Sequence, residues 1–209
     1  MRRPLVAVLC GALCAVALAG CADPDEAPML TPDDRAAQGS SVEVDTPELR
    51  ELKAEAGIED CQPGPGGGAL PAVTVACLGG GPAVDLSSLR GPMLINIWQS
   101  ACTACEKEMP ILQAFHEQYA DEVPVLGIDS TDVFPGTALE QLRDRGVTYP
   151  QLADPGGDLQ DTETFARVRG YPYLGFVDGS GEITYEKFGA VDSAEELQRL
   201  VEEHLGVSL

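Results

Sequence analysis

Two cysteines stand two residues apart, at Cys102 and Cys105, in the segment WQSACTACEKEMP. A short apolar run precedes them and a helix-like segment follows, which predicts Cys102 at the start of a helix. A thiolate at that position faces free backbone N–H groups and the positive end of the helix dipole, so its pKa is lowered. This pattern is compatible with thiol–disulfide exchange, with half of a metal site, or with a permanent structural disulfide.

Exchange and metal binding make different demands on the rest of the chain. In exchange, Cys102 attacks a disulfide and Cys105 resolves the mixed disulfide that forms. A structural zinc site needs a second cysteine pair or histidines at ligand spacing. The chain has 2 histidines, His116 and His204, and neither has a partner at such a spacing. The sequence therefore favours a redox pair, predicts no metal and no other cofactor, and leaves the permanent disulfide as an alternative.

Strand and helix patterns alternate from residue 70 onward and predict one α/β domain over residues 70–209. The short apolar runs PMLINIW and VPVLGID are predicted as buried strands, and EKEMPILQAFHEQYA as a helix between them. Further on, YLGFVD and ITYEKF flank the turn GSGE and predict a hairpin. These elements predict a central mixed sheet with helices on both faces.

Three further helices are predicted after the second buried strand. Thr137 and Glu140 have the spacing of a capping box at the start of TALEQLRDRG. TETFARVRG, residues 162–170, is predicted as a short helix. Ser193 and Glu196 have the spacing that caps a last helix, AEELQRLVEEHL.

The amino terminus has the pattern of an export signal over residues 1–20. Two arginines precede an apolar run, PLVAVLCGALCAVALAG, that is too short for an ordinary membrane-spanning helix. The run ends in Leu18-Ala19-Gly20-Cys21, which resembles the lipobox of bacterial lipoproteins. That resemblance implies cleavage before Cys21 and a lipid anchor on its sulfur, which places the protein outside the cytoplasm at the cell membrane. A plain secretory signal is the alternative.

Two segments separate this signal from the domain. Residues 21–45 are acidic and rich in proline, without apolar periodicity, and are predicted to be a flexible tether. Residues 46–69 are predicted to form a short helix and a Gly/Pro-rich linker. Thr46 and Pro47 have the residue types of a helix start, and Gly57 has that of a stop.

The mature chain retains four cysteines besides the lipidated one: Cys61, Cys77, Cys102 and Cys105. Four cysteines allow three pairings, and an extracytoplasmic compartment lets disulfides persist. The formal net charge of -21 repels phosphate backbones, so nucleic acid is not an expected partner.

Residues 70 to about 205 resemble the membrane-associated, thioredoxin-fold disulfide reductases of the TlpA/ResA type. The shared pattern is a leading hairpin, an L-x-G turn, a strand ending in Trp, the cysteine motif, and a later G-x-P before a strand. The matching residues are Leu89, Gly91, Trp98, Cys102, Cys105, Glu108, Pro110, Gly170 and Pro172. The resemblance implies a thioredoxin-like fold with an N-terminal β-hairpin and an inserted βα segment.

The resemblance also implies roles for particular residues. Pro172 corresponds to a cis-proline that faces the cysteine motif and leaves backbone groups free for an extended substrate, with an ordinary trans turn proline as the alternative. Glu108 lies three residues after Cys105 and could relay the resolving thiol's proton, although a carboxylate favoured by the first helical turn is the alternative. Cys61 and Cys77 resemble an extra disulfide of actinobacterial relatives, with two free thiols as the alternative.

The resemblance implies a thiol–disulfide oxidoreductase that acts on exported proteins. A reductase is favoured, recharged by a membrane thiol electron carrier and acting on clients such as apocytochrome c. The residues around the cysteines, Ala101, Thr103 and Ala104, differ from the family's usual Trp and Pro and weaken the prediction of electron-flow direction. A disulfide-forming oxidase of the same fold is the close alternative. A metallochaperone or passive binding module is the alternative of another class. A thiol peroxidase is disfavoured because Gln99, not Thr, stands three residues before Cys102.

Overall fold

The computed structural model describes residues 41–209 of the chain. The predicted signal of residues 1–20, the lipidation of Cys21 and all but the last residues of the predicted tether lie outside the described residues. Among residues 41–209, no helix combines the length and apolar character that crossing a bilayer requires.

A single mixed sheet organises the described part of the chain. Its strands are β1 Thr74–Cys77, β2 Val84–Asp85, β3 Met93–Trp98, β4 Val125–Ser130, β5 Gln151–Asp154, β6 Tyr173–Val177 and β7 Ile183–Phe188. The strand order is β2-β1-β5-β4-β3-β6-β7, with β3, β4 and β5 parallel to one another. The flanking pairs β1–β2, β1–β5, β3–β6 and β6–β7 are antiparallel. The predicted mixed sheet, leading β1–β2 hairpin and later β6–β7 hairpin are therefore confirmed.

Four α-helices connect and cover these strands within residues 41–209: α1 Pro47–Ala56, α2 Thr103–Tyr119, α3 Pro135–Arg145 and α4 Ala194–Leu205. As predicted, Thr46 caps α1 by accepting the N–H of Leu49 at 3.3 Å. Gly57 ends α1 in the left-handed conformation, with φ of 69°. Ser193 likewise caps α4 by accepting the N–H of Glu196 at 3.1 Å.

The predicted capping box at Thr137 and Glu140 is wrong. Helix α3 begins earlier, at Pro135, and its N-cap residue Phe134 makes no side-chain capping hydrogen bond. Proline is favoured at the first position of a helix because its φ is already helical and its missing N–H is not needed there. An upstream carboxylate, that of Asp132, instead accepts the N–H of Phe134 at 2.9 Å.

The predicted helix over residues 162–170 is also wrong. A short 3-10 helix, Asp158–Asp161, is followed by tight turns. The N–H of Val168 donates to the carbonyl of Phe165, three residues earlier, at 2.9 Å, whereas an α-helical hydrogen bond would span four residues. Phe165 is fully buried and packs edge-on to Tyr173, with ring centroids 6.1 Å apart. Tertiary packing of these side chains overrides a weak helical preference.

The core has two layers, one on each face of the sheet. Strand β3 is buried along its whole length and supplies both layers, because successive side chains of a strand point to opposite faces. One layer contains Leu94, Trp98, Met109, Leu112 and Phe115, and the other contains Ile95, Ile97, Leu126, Ile128 and Leu152. The strand that leads to the cysteine motif is thus fully enclosed, like its neighbours β4 and β6.

A disulfide ties the segment before the domain to the sheet. Cys61 and Cys77 are bonded, with Cα atoms 5.9 Å apart, and this is the pair that the family resemblance implies. The exposed fractions of the two residues are 0% and 2%. The Lys53 ammonium of α1 donates to Cys77 Sγ at 3.4 Å and to the carbonyl of Gly80 at 2.8 Å. Helix α1 and strand β1 therefore meet around this buried sulfur pair.

Replacing Cys61 and Cys77 together by alanine is expected to lower the free energy of unfolding by about 3 kcal/mol, since the bond closes a loop with a sequence separation of 16. Urea denaturation of the oxidised protein measures this change. The protein with both Cys102→Ala and Cys105→Ala is the control. Its missing disulfide closes a loop with a sequence separation of only 3, so its free energy of unfolding should fall by only about 2 kcal/mol. An unchanged unfolding midpoint in the Cys61→Ala, Cys77→Ala protein would contradict the expectation.

Candidate functional site

The cysteine motif occupies the turn from strand β3 into helix α2. Cys102 is the N-cap residue of α2, with φ and ψ of -94° and 98°, and its sulfur accepts the N–H of Cys105 at 3.1 Å. The N–H of Cys102 itself donates to the carbonyl of Gln99 at 3.0 Å. A sulfur in this position lies at the positive end of the helix dipole, which stabilises a thiolate.

The two sulfurs of the motif differ in their access to solvent. Cys102 and Cys105 form a disulfide, with Cα atoms 5.3 Å apart. Cys105 is 1% exposed, whereas Cys102 is half-buried. An incoming thiol or disulfide therefore meets Cys102 first, and Cys105 is held behind it in the core.

Glu108 is a buried carboxyl one turn beyond Cys105. It is 1% exposed, and it accepts hydrogen bonds from Asn96 Nδ2 at 3.0 Å and from the N–H of Val191 at 2.9 Å. Burial raises its pKa to about 7, against the opposing effects of these two hydrogen bonds and of the Lys187 charge. A carboxyl with this pKa exchanges its proton near neutral pH, as a proton relay must.

The segment before strand β6 lies beside the motif. Tyr173 pairs with Ile97 in the register of β6 and β3, so Pro172 comes next to the end of β3. The peptide bond between Tyr171 and Pro172 is cis. Pro172 is buried and its carbonyl accepts the N–H of Gly189 at 2.9 Å, while Tyr171 is half-buried at the site.

Thr131 holds this segment against the loop that precedes the cysteines. Its carbonyl accepts Gln99 Nε2 at 2.8 Å, and its hydroxyl lies 2.9 Å from the Tyr171 hydroxyl. Gln160 Nε2 donates to the same Tyr171 hydroxyl at 3.1 Å. Thr131 has φ of 54°, a left-handed conformation that is costly for a β-branched residue and is often found at functional sites.

Two aspartates that the sequence patterns did not predict as site residues lie near the cysteine motif, one at the end of β4 and one just after it. Asp132 accepts the N–H of Ser100 at 2.8 Å through one oxygen and the N–H of Phe134 at 2.9 Å through the other. Asp129, the β4 partner of Trp98, is fully buried, and burial together with the nearby Asp132 and Asp154 carboxyls raises its pKa well above the usual range. The sequence signal for them was the run IDSTD at the end of a buried strand, since an acidic side chain is unusual in a buried strand.

Trp98 is the last residue of β3 and lies in the core close to the cysteine motif. It is fully buried, and its indole N–H donates to Gln151 Oε1 at 2.9 Å. Because only three residues separate it from Cys102, its fluorescence is a suitable reporter of the state of the cysteine pair.

The remaining predicted positions lie elsewhere. The Cys61–Cys77 disulfide lies at β1, which is separated from β3 by β5 and β4, and Cys21 lies outside the described residues. His116 Nε2 lies 3.0 Å from Glu59 Oε1, and His204 stacks on Tyr185 with ring centroids 3.8 Å apart. Within the described part of the chain, no group of three or more His, Cys, Asp or Glu side chains is placed to hold a metal ion.

Comparison with known proteins identifies the family. The model of the AhpC/TSA family matches residues 67–186, which cover both the cysteine motif and the β6–β7 hairpin. The chain belongs to the AhpC/TSA family. The match spans every strand of the AhpC/TSA domain here except the end of β7.

Named AhpC/TSA relatives carry the same domain in proteins of different length. The chain is 29% identical over 119 residues to protein DipZ of Mycobacterium tuberculosis, covering 54% of this chain and 17% of DipZ. It is 26% identical over 104 residues to the thiol-disulfide oxidoreductase ResA of Oceanobacillus iheyensis, covering 48% of this chain and 51% of ResA. This chain thus aligns with about half of ResA or less than a fifth of DipZ. The likeness to ResA confirms the resemblance to TlpA/ResA-type proteins.

A solved structure of the same fold supports the thioredoxin-like architecture. The thioredoxin-like protein of Porphyromonas gingivalis superimposes with a TM-score of 0.54 at 25% sequence identity, covering 68% of this chain and 94% of that one. The predicted thioredoxin-like α/β fold is therefore confirmed.

The pKa of Glu108 makes a prediction about stability and pH. The unfolded chain releases this proton near pH 4.5, whereas the folded protein holds it to about pH 7. The contribution of Glu108 to the free energy of unfolding should therefore fall by about 3 kcal/mol as the pH rises through this window and then level off, in addition to what Asp129 and Asp154 contribute, whose pKa values burial also raises. Glu108→Gln should remove this fall, as measured by urea denaturation of the oxidised protein between pH 5 and 8.

Glu122→Gln is the matched control for Glu108→Gln, because Glu122 is exposed on the turn after α2. This control should retain the wild-type pH dependence. An equal fall in the Glu108→Gln protein and the wild type would show that Glu108 does not hold its proton to neutral pH.

Proposed function

We propose that this protein is an extracytoplasmic thiol–disulfide oxidoreductase, with Cys102 as the nucleophile and Cys105 as the resolving thiol. The observation that carries the proposal is the unequal exposure of the two cysteines: Cys102 is half-buried at a helix N-terminus, while Cys105 is 1% exposed behind it. The name of the relative ResA, a thiol-disulfide oxidoreductase, supports the same chemistry.

The proposed reaction transfers two electrons from the protein to a client disulfide. The Cys102 thiolate attacks one client sulfur and breaks the client's S–S bond, and the departing client thiolate takes up a proton. The Cys105 thiol then gives its proton to the Glu108 carboxylate and attacks Cys102 Sγ. The second client sulfur leaves as a thiolate and is protonated, so the client is reduced and the Cys102–Cys105 disulfide is formed.

Pro172 and Glu108 have supporting roles in this proposal. Pro172 precedes β6 at the end of β3, where the neighbouring backbone can pair with an extended client segment. Glu108, three residues from Cys105 and with a pKa of about 7, takes the resolving thiol's proton and later returns it. Both proposed roles are inferred from the positions of Pro172 and Glu108 beside the cysteine motif.

We propose the reductase direction, with a membrane thiol carrier as electron donor and exported proteins, apocytochrome c among them, as clients. Residues 1–20 would direct export, lipid on Cys21 would anchor the chain at the cell membrane, and residues 21–45 would tether it. Residues 46–69 would then link the tether to the catalytic domain of residues 70–209. The likeness to ResA supports the exchange chemistry, and the lipobox-like sequence supports the anchor.

The reduction potential of the Cys102–Cys105 pair tests the direction of electron flow. The protein is equilibrated in graded dithiol buffers, and Trp98 fluorescence reports the fraction reduced. A reductase requires a potential near or below about -250 mV, close to that of thioredoxin. A value near about -120 mV, like that of the strong periplasmic oxidant, would assign the protein to disulfide formation instead. No reversible couple at all would contradict both.

A trapping experiment tests the roles of the two cysteines. Cys105→Ala should accumulate mixed disulfides between Cys102 and client proteins, because the resolving thiol is gone. Cys102→Ala is the matched control and should trap at least about tenfold less, since Cys105 is buried and exchange requires access. Non-reducing gels and mass spectrometry of the trapped species measure both. Equal trapping by the two variants would overturn the assignment of Cys102 as nucleophile.

A further inference from the structure

Among residues 41–209, three large apolar side chains are strongly exposed. Val133 is 43% exposed, Phe134 65% and Phe188 52%. Nearly all other large apolar residues of this part are buried or half-buried in the two core layers. Exposed apolar clusters on a folded domain commonly mark an interaction site, so their positions in the sheet are informative.

Val133 and Phe134 lie on one flank of the cysteine motif. Strands β3 and β4 are parallel, with Trp98 opposite Asp129, so the residues after β4 emerge at the same edge as the residues after β3. Asp132 joins the two loops directly. One of its oxygens accepts the N–H of Ser100 at 2.8 Å and the other accepts the N–H of Phe134 at 2.9 Å. A single carboxylate thus fixes the exposed pair beside the loop that carries Cys102.

Phe188 lies on the other flank, at the same edge of the sheet. It is the last residue of β7 and pairs with Tyr173, which in turn pairs with Ile97 near the end of β3. Its ring packs edge-on to that of Tyr173, with centroids 5.4 Å apart. The next residue, Gly189, donates its N–H to the Pro172 carbonyl at 2.9 Å. Phe188 is therefore held beside the segment proposed to receive the client backbone.

The width of this surface can be estimated from the strand order. Neighbouring strands lie about 4.8 Å apart, so β4 is about 5 Å from β3 on one side and β7 is about 10 Å away on the other. The surface from β4 to β7 is therefore about 15 Å across, the length of four or five residues of extended chain. A small thiol in contact with Cys102 is too short to touch both flanks.

We propose that Val133, Phe134 and Phe188 form an apolar rim that binds an extended, unfolded segment of an exported protein, with apolar side chains on both sides of its reacting cysteine. This inference rests on the proposed exchange function and specifies the substrate class of that site. An unfolded segment fits because its apolar side chains are still accessible and its backbone is extended. The rim favours such clients over small thiols and over cysteines surrounded by polar residues.

The test uses the reduced protein and three disulfide probes. One is a peptide disulfide with leucine or phenylalanine two residues on either side of the cysteine, the second is the same peptide with serine at those places, and the third is hydroxyethyl disulfide. Stopped-flow Trp98 fluorescence follows oxidation of the protein. The wild type should react at least about tenfold faster with the apolar peptide than with the polar one, which is about 1.4 kcal/mol of selectivity.

Substitutions on both flanks should remove this selectivity without affecting the small probe. Phe134→Ser combined with Phe188→Ser should reduce the ratio between the two peptides to about twofold or less. Its rate with hydroxyethyl disulfide should stay within about twofold of the wild type. Phe134→Leu should retain most of the selectivity. Ile183→Ser is the matched control, because Ile183 begins β7 at the opposite edge, paired with Val177, and its peptide ratio should equal that of the wild type.

The outcomes separate the inference from the proposed function. No reaction with any of the three probes would overturn the exchange function, and the rim with it. Reaction of the wild type with both peptides at equal rates would leave exchange intact and overturn the rim. An equal loss of rate on all three probes in the double variant would also overturn it. A third result would overturn the rim as well: the double variant keeps the peptide selectivity of the wild type but no longer binds phospholipid vesicles. The exposed apolar side chains would then bind a membrane surface and not a client peptide.

Discussion

Strand β3 is the constraint on which the rest of the structure depends. All its residues, Met93–Trp98, are buried, and it lies between β4 and β6 in the interior of the sheet. A strand enclosed on both faces and both edges has one register, since a shift by one residue would exchange its two core layers. Its last residue therefore has a fixed place, and the cysteine motif, the Asp132 contact and the start of β6 are all arranged around that place.

The site combines an enclosed half with an accessible half. Cys105, Glu108 and Asn96 belong to the enclosed half, where a carboxyl retains its proton to neutral pH because water is excluded. Cys102 and Tyr171 belong to the accessible half, and Thr131 and Asp132 hold the surrounding loops in place. In the proposed reaction, the proton acceptor Glu108 and the client-contacting Cys102 thus lie six residues apart, almost two helical turns.

Local patterns in the sequence predicted the parts of the fold that depend on local physics. Buried apolar runs identified β3 and β4, cap and stop residues identified α1 and α4, and the cysteine spacing identified the reactive turn. The helix expected over residues 162–170 does not form, because Phe165 packs into the core from a turn. The exposed pair Val133 and Phe134 and the buried Asp129 could not be placed beside the cysteines from the sequence. Their proximity depends on which strands are neighbours, and that is decided by long-range pairing.

The two disulfides of this chain differ in exposure, and this difference decides which of them a reductant can reach. Thiol–disulfide exchange requires direct approach of a thiolate to a sulfur. Cys61 and Cys77 are 0% and 2% exposed, whereas Cys102 is only half-buried. A reductant that meets the folded chain therefore acts on one bond and leaves the other untouched until the domain opens. In the proposed function the Cys102–Cys105 bond is broken and formed again in each cycle, whereas the Cys61–Cys77 bond persists, although both bonds join two cysteine sulfurs of one domain.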